Sequence, residues 1–255
     1  MIQYEELVEA IESFAPIDEY REIDSSGTQI RVGDGRIDRI LVCLEINDAV
    51  IDEAVRYDAD MIITHHPLLF YPLSSVTIDD VPGRYVARLL EKGISVYSSH
   101  LPFDFCPTGN NAYLAERLNL VNVKKETPEL FTGCFEQELT LEEACRLSEE
   151  VLDLPKGYIH VVDGGKPVRK VGMCTGAGGD LIRDALAAGC DLFITGDLKL
   201  HEAQYAKAMG ISIIDGGHYG TEKSFTENFA RQLRAKLGEN TAVLEAKADT
   251  NPYTW

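Results

Sequence analysis

Two stretches of this chain match one another at a constant offset, and that repeat limits the fold more than any other feature. Residues 39–66, RILVCLEINDAVIDEAVRYDADMIITHH, lie against residues 170–197, KVGMCTGAGGDLIRDALAAGCDLFITGD. Cys43 meets Cys174, Ala54 meets Ala185, Asp60 meets Asp191 and Thr64 meets Thr195. A second block, residues 84–100, lies against residues 201–217 after a longer insert in the first half. Each copy reads as strand, helix, strand, helix, strand. Short continuous apolar runs such as RILVCLEI (39–46), DMIIT (60–64) and ISVYSS (94–99) have the form of strands buried on both faces. Between them, NDAVIDEAVRYDA (47–59) offers Asn47 or Asp48 as an N-cap, and GRYVARLLEKG (83–93) ends on a glycine. Any two βαβ units share this plan, but a run of matches at one offset favours a true repeat.

Such alternation predicts an α/β protein of two similar βαβ-based lobes packed together. The expected division is residues 1–125 and 126–255, the second lobe repeating the first and closing the functional site. The intervening CFEQELTLEEACRLSEEVLDLPKGYIHVV reads as strand, helix, strand. A last helix is expected over 221–238, with Phe225, Phe229, Leu233 and Leu237 on its buried face, then a strand and a tail.

Composition narrows the function. A formal net charge of −18 repels a phosphate backbone, and no basic run exceeds a pair such as Lys124-Lys125, so nucleic acid is not an expected partner. No apolar run approaches the roughly 20 residues that span a bilayer. The acidic N-terminus lacks the basic start of a signal peptide, and the expected location is cytoplasmic. The six cysteines form no C-x-x-C pair, and no disulfide framework is expected.

In open α/β sheets, ligands bind beyond the carboxyl ends of the strands. Three polar clusters fall at such ends: His65-His66, SSHLPFD (98–104) with His100 and Asp104, and DGGHYGTE (215–222) with His218 and Glu222. A single histidine after a strand is more often a cap or a satisfied core residue than a ligand. Three clusters at the same kind of position reverse that weighting. Imidazole with carboxylate suits Zn, Mn, Fe or Co. His218 and Glu222 are four apart at a helix start, hence on one face. Neighbouring side chains of an extended segment point in opposite directions, so the adjacent pair His65-His66 suits two metals better than one. Two ions about 3.5–4 Å apart form a hydrolytic arrangement. TGAGGD (175–180) departs from both common phosphate-binding patterns and reads as a tight strand-to-helix turn, although its N–H groups could hold an anion. TGDLKLHEA (195–203) places Asp197, Lys199, His201 and Glu202 at another strand end, either as supporting or substrate groups or as helix caps.

ITHHPLLF, HLPFD followed by PTGNN, ITGDLKLHEA and DGGHYGTE, in that order, resemble the motifs of the NIF-three-like proteins, often labelled GTP cyclohydrolase 1 type 2 homologues. The resemblance implies two similar α/β lobes, a toroidal homohexamer with metal sites facing an internal cavity, and two divalent ions per chain. It implies His65, His66, Asp104, His218 and Glu222 as ligands. His100 resembles a histidine just ahead of the ligand aspartate, placed to face substrate or relay a proton. The implied activity is that of a metal-dependent hydrolase, with a hydroxide between the ions as nucleophile and a small molecule as substrate. The label points to opening of the guanine imidazole ring of GTP with release of formate. The alternative is a non-catalytic metal-binding or regulatory ring: a store, an insertase or a partner-binding protein. Tyr71 and Ser75 stand where the family carries basic residues, which removes charge that an anionic substrate would use.

Overall fold

A computed structural model describes residues 1–238 and 241–253. In chain order the first elements are β1 (Ile2–Gln3), α1 (Tyr4–Glu12), β2 (Gly27–Ile30), β3 (Arg36–Ile37), β4 (Arg39–Cys43), α2 (Asp48–Arg56), β5 (Met61–Thr64), α3 (Val81–Lys92), β6 (Ser95–Ser98) and α4 (Leu101–Asp104). There follow α5 (Asn110–Arg117), β7 (Val121–Lys125), β8 (Phe131–Leu139), α6 (Leu141–Val151), β9 (His160–Val162), β10 (Val168–Ala177), α7 (Ile182–Ala187), β11 (Leu192–Gly196), α8 (Leu200–Met209) and β12 (Ser212–Asp215). The chain ends through α9 (His218–Glu222), α10 (Phe225–Leu237) and β13 (Ala242–Glu245).

These elements form two compact units, Met1–Gly109 with the chain from Phe225 onward, and Asn110–Ser224. The division differs from the expected one at 125/126. The reason is the last segment: β13 pairs in parallel with β4, from Ala242 opposite Arg39 to Glu245 opposite Val42, and α10 packs on β4 and α1. The buried carboxylate of Glu53 then accepts from the N–H groups of Lys247 and Ala248 and holds the following residues against α2. The last two residues of the expected tail, 254–255, lie outside the described residues.

The sheet of the first unit runs β13-β4-β5-β6-β2, with β4, β5 and β6 parallel and β2 an antiparallel edge. That of the second runs β7-β8-β10-β11-β12-β9, with β10, β11 and β12 parallel and β9 the antiparallel edge beside the third strand. Parallel strands need covering on both faces, and Ile40–Cys43, Met61–Ile63 and Leu192–Ile194 are all buried. The repeat extends to individual hydrogen bonds. Asp60 accepts from the N–H groups of Asp38 and Arg39 at 2.7 and 2.8 Å. Asp191 accepts from those of Arg169 and Lys170 at 3.2 and 3.0 Å, the same positions one repeat later. The Ser95 hydroxyl accepts from Val32 N–H as the Ser212 hydroxyl does from Gly164 N–H. Gly93 and Gly210 both close their helices in the left-handed region, at φ 68° and 72°.

Local signals account for most boundaries. The Asn47 side chain accepts from Val50 N–H and starts α2. Thr140 and Glu143 form a reciprocal capping box on α6. The single helix expected over 221–238 is two, α9 and α10, broken at residues 223–224. Phe225, Phe229 and Leu233 form the buried face of α10, while Leu237 is only partly covered. Among the described residues no helix is long and apolar enough to cross a membrane.

Candidate metal centre

In the first unit, the ladder carries on past β5: His65 N–H donates to Cys43 O and His66 N–H to Leu44 O. The Ser98 hydroxyl donates to His65 O at 2.8 Å and ties that backbone to the end of β6. The chain bends at both residues, so the two rings lie side by side rather than on opposite sides as expected of an extended segment, and they differ in burial: His65 is fully covered, whereas a quarter of the His66 side chain is exposed (24%). The ring centroids of His65, His66 and His100 lie 5.0, 5.1 and 5.7 Å apart, pair by pair. Each of the three offers a ligand nitrogen within 4.8 Å of the others.

His100 and Asp104 flank one helical turn, for Asp104 N–H donates to His100 O at 3.0 Å. Asp104 is thus the last residue of a short helix, α4. Pro102 occupies the first turn, where a missing N–H costs nothing. Phe103 is fully buried between Phe14, Phe225 and Phe229, which fixes the turn. The same turn aims the buried Asp104 carboxylate at His65, with Oδ1 3.4 Å from Nε2.

In the second unit, His218 and Glu222 occupy the two ends of α9, and His218 Nε2 lies 3.1 Å from Glu222 Oε2. Gly176, of the TGAGGD stretch, passes directly beneath them at φ 72°. A Cβ there would stand 2.2 Å from Glu222 Oε1 and 3.3 Å from His218 Nε2. This glycine exists for close approach as much as for the turn. Helix α7, which follows the turn, has only six residues.

The imidazoles share one arrangement. His65 Nδ1 lies 3.0 Å from Ser99 O, His66 Nδ1 2.8 Å from Glu45 Oε2, and His218 Nδ1 2.8 Å from Asp197 Oδ2. A carbonyl or an ionised carboxylate can only accept, so Nδ1 carries the hydrogen and, in the neutral ring, Nε2 presents its lone pair. Metal-ligating histidines are held in this way, by an oxygen behind the ring that sets tautomer and orientation. At His65 and His218 the lone pair then faces a carboxylate oxygen, an arrangement that calls for a cation between them. The donor set fits a divalent metal, and these buried His, Asp and Glu groups can hold one.

Of the six proposed residues, His65, His66 and His100 follow β5 and β6, Asp104 ends α4, and His218 and Glu222 lie on α9; the first four are in one unit and the last two in the other. TGDLKLHEA divides between its two readings. Asp197, held at φ 51°, backs His218, whereas Lys199 N–H donates to Glu202 at 2.8 Å in a cap on α8. Asp197 thus supports the site and Glu202 caps a helix; His201 is exposed on α8. Sequence reasoning missed Glu45 and Asp24. Glu45 carried a faint signal, a lone carboxylate at the end of an apolar strand. Asp24 carried none.

Repeated βαβ units with histidine and carboxylate groups at their strand ends define an α/β protein equipped to hold a metal ion. The chain belongs to the Duf34/NIF3 (NGG1p interacting factor 3) family, whose model matches residues 2–252. It is 30% identical over 264 residues to a Clostridium acetobutylicum protein named GTP cyclohydrolase 1 type 2 homolog, covering 99% of this chain and 98% of the relative. It is 31% identical over 232 residues to the Helicobacter pylori protein named GTP cyclohydrolase 1 type 2, covering 88% and 89%. The crystal structure of a Bacillus cereus protein related to NIF3 has the same fold, with a TM-score of 0.91, 22% identity and coverage of 100% and 99%.

Proposed function

We propose that this protein is a metal-dependent hydrolase with His65, His66, Asp104, His218 and Glu222 as ligands of two divalent ions, drawn from Fe, Mn, Zn and Co. The observation that carries this reading is the shared commitment of Nδ1 to an oxygen in His65, His66 and His218, which leaves Nε2 as the donor in each. Two such ions supply Lewis acidity and a water that ionises near neutral pH. The chain's own residues do the rest. Glu45, Ser99 O and Asp197 orient the imidazoles, and His100 stands beside His65 and His66 to hold or pass a proton. The name of the Helicobacter pylori relative makes GTP the first substrate to try. A cytoplasmic homohexameric ring is the assembly that the family resemblance supports.

The test is turnover by metal-loaded protein on GTP and on a panel of phosphoesters and amides. Hydrolysis that disappears in the His65→Ala, His66→Ala double variant supports the reading. Bound metal with no turnover on any member favours a metal-binding ring without catalysis, a store or insertase. Turnover that survives the double substitution contradicts a role for these residues.

A further inference from the structure

His100 is held more completely than a merely structural histidine requires. Its Nδ1 lies 2.7 Å from Asp24 Oδ1, and its backbone N–H donates to Ser26 Oγ at 2.9 Å. Ser26 in turn gives both its N–H, at 3.1 Å, and its hydroxyl to Asp24 Oδ2. One three-residue loop thus grips the ring and the backbone of His100 at once. The Asp24 side chain is only 1% exposed, and among the described residues it accepts from these two alone. Burial pushes its carboxyl up, but the hydrogen bonds from His100 and Ser26 outweigh burial and hold it below the usual carboxylate range. The loop itself is anchored: Asp24 N–H donates to Tyr20 O at 2.8 Å, and the buried Tyr20 ring stacks on Phe105, the residue after Asp104.

We propose that Asp24 is a positioning residue, which holds His100 in the Nδ1–H tautomer and leaves its Nε2 lone pair as a hydrogen-bond acceptor beside His65 and His66. The ring centroids stand 5.1 and 5.7 Å from those of His65 and His66, and Nδ1 is occupied, so Nε2 is the nitrogen that side receives. The group it serves is an O–H or N–H donor, either water or the hydrolysable substrate. A site of this kind orients a donor and disfavours a bare acceptor. The device matches the arrangement behind His65, His66 and His218, but it sits on a histidine outside the ligand set. Glu45 and Asp197 back ligands, whereas Asp24 backs the group that meets what the ligands activate. This role deepens the hydrolase reading and rests on it only for its effect on turnover.

The test is ¹⁵N NMR of the imidazoles of the full-length protein, with and without zinc, at a pH where His100 is neutral. The expected spectrum has a protonated Nδ1 and an unprotonated Nε2 for His100 in the wild type. In Asp24→Asn the amide can donate to Nδ1, so a measurable share of the ring shifts to the Nε2–H form. Asp24→Ala likewise lowers the Nδ1–H share, whereas Ser26→Ala, which spares the ring contact, keeps it. An Nε2–H ring in the wild type overturns the proposal without recourse to any variant. So does an Nδ1–H share unmoved in both Asp24 variants. In turnover, Asp24→Asn is expected to lower kcat about 10²-fold with KM and metal content unchanged. If no substrate is ever turned over, the hydrolase reading fails while the tautomer result still decides the role of Asp24.

Discussion

At the scale of single residues, the site is organised by what stands behind each functional group. Gly176 is the sharpest case, because its backbone fills the place where a side chain would collide with Glu222. Gly176→Ala combines that collision with a left-handed φ. It is expected to cost about 1–3 kcal/mol in urea unfolding and to weaken metal retention in equilibrium dialysis. Asp24 gives a pH signature. Its folded pKa lies below the ordinary 3.8, so its contribution to stability is present above that value and is lost as pH falls through the lower folded value. Wild type should therefore exceed Asp24→Asn in stability at neutral pH, and the gap should close below pH 3.8. A gap that stays constant on acidification would show that the carboxylate charge is not what holds the loop. The candidate ligands were legible in the sequence because each follows a buried strand, where a polar residue has no packing reason to be. Their supports were not. Asp24 meets His100 across 76 positions and Glu45 meets His66 across 21, and no local pattern encodes contacts made by loops that approach only after folding.

At the scale of elements, the strand–helix alternation was legible because buried parallel strands are continuous apolar runs and their helices carry caps. The twin hydrogen bonds of Asp60 and Asp191 make the repeat testable. Asp60→Ala and Asp191→Ala each strip two backbone N–H groups of a charged acceptor, and each is expected to lose about 1–3 kcal/mol. Losses of similar size in thermal melts would show that the two copies use the aspartate alike, and a loss confined to one copy would not. The break between α9 and α10 was invisible to periodicity. Phe225, Phe229 and Leu233 keep a helical spacing, but nothing in TEKS signals that the chain stops and restarts there. The break leaves His218 and Glu222 on α9 and lets α10 bury its aromatic face against Phe14 and Phe103. Phe229 is fully buried in that cluster, so Phe229→Ala should cost about 3–5 kcal/mol, read from the urea midpoint.

At the scale of the whole molecule, one repeated plan yields two units with different dependants. The first unit takes back the end of the chain through β13 and α10, which is why a boundary drawn at 125/126 from the repeat alone falls in the wrong place. Long-range strand addition leaves no mark on the local pattern of either partner. The charge of −18 raises the importance of bound cations, because each ion held by carboxylates and imidazoles offsets part of that excess. The role proposed for the histidine and carboxylate groups is to hold metal, and elemental analysis of the purified protein measures that outright. Two divalent ions per chain are expected, lost when His65 and His66 are both replaced by alanine. A ratio well below two after loading, or one that the double substitution leaves unchanged, would contradict that role.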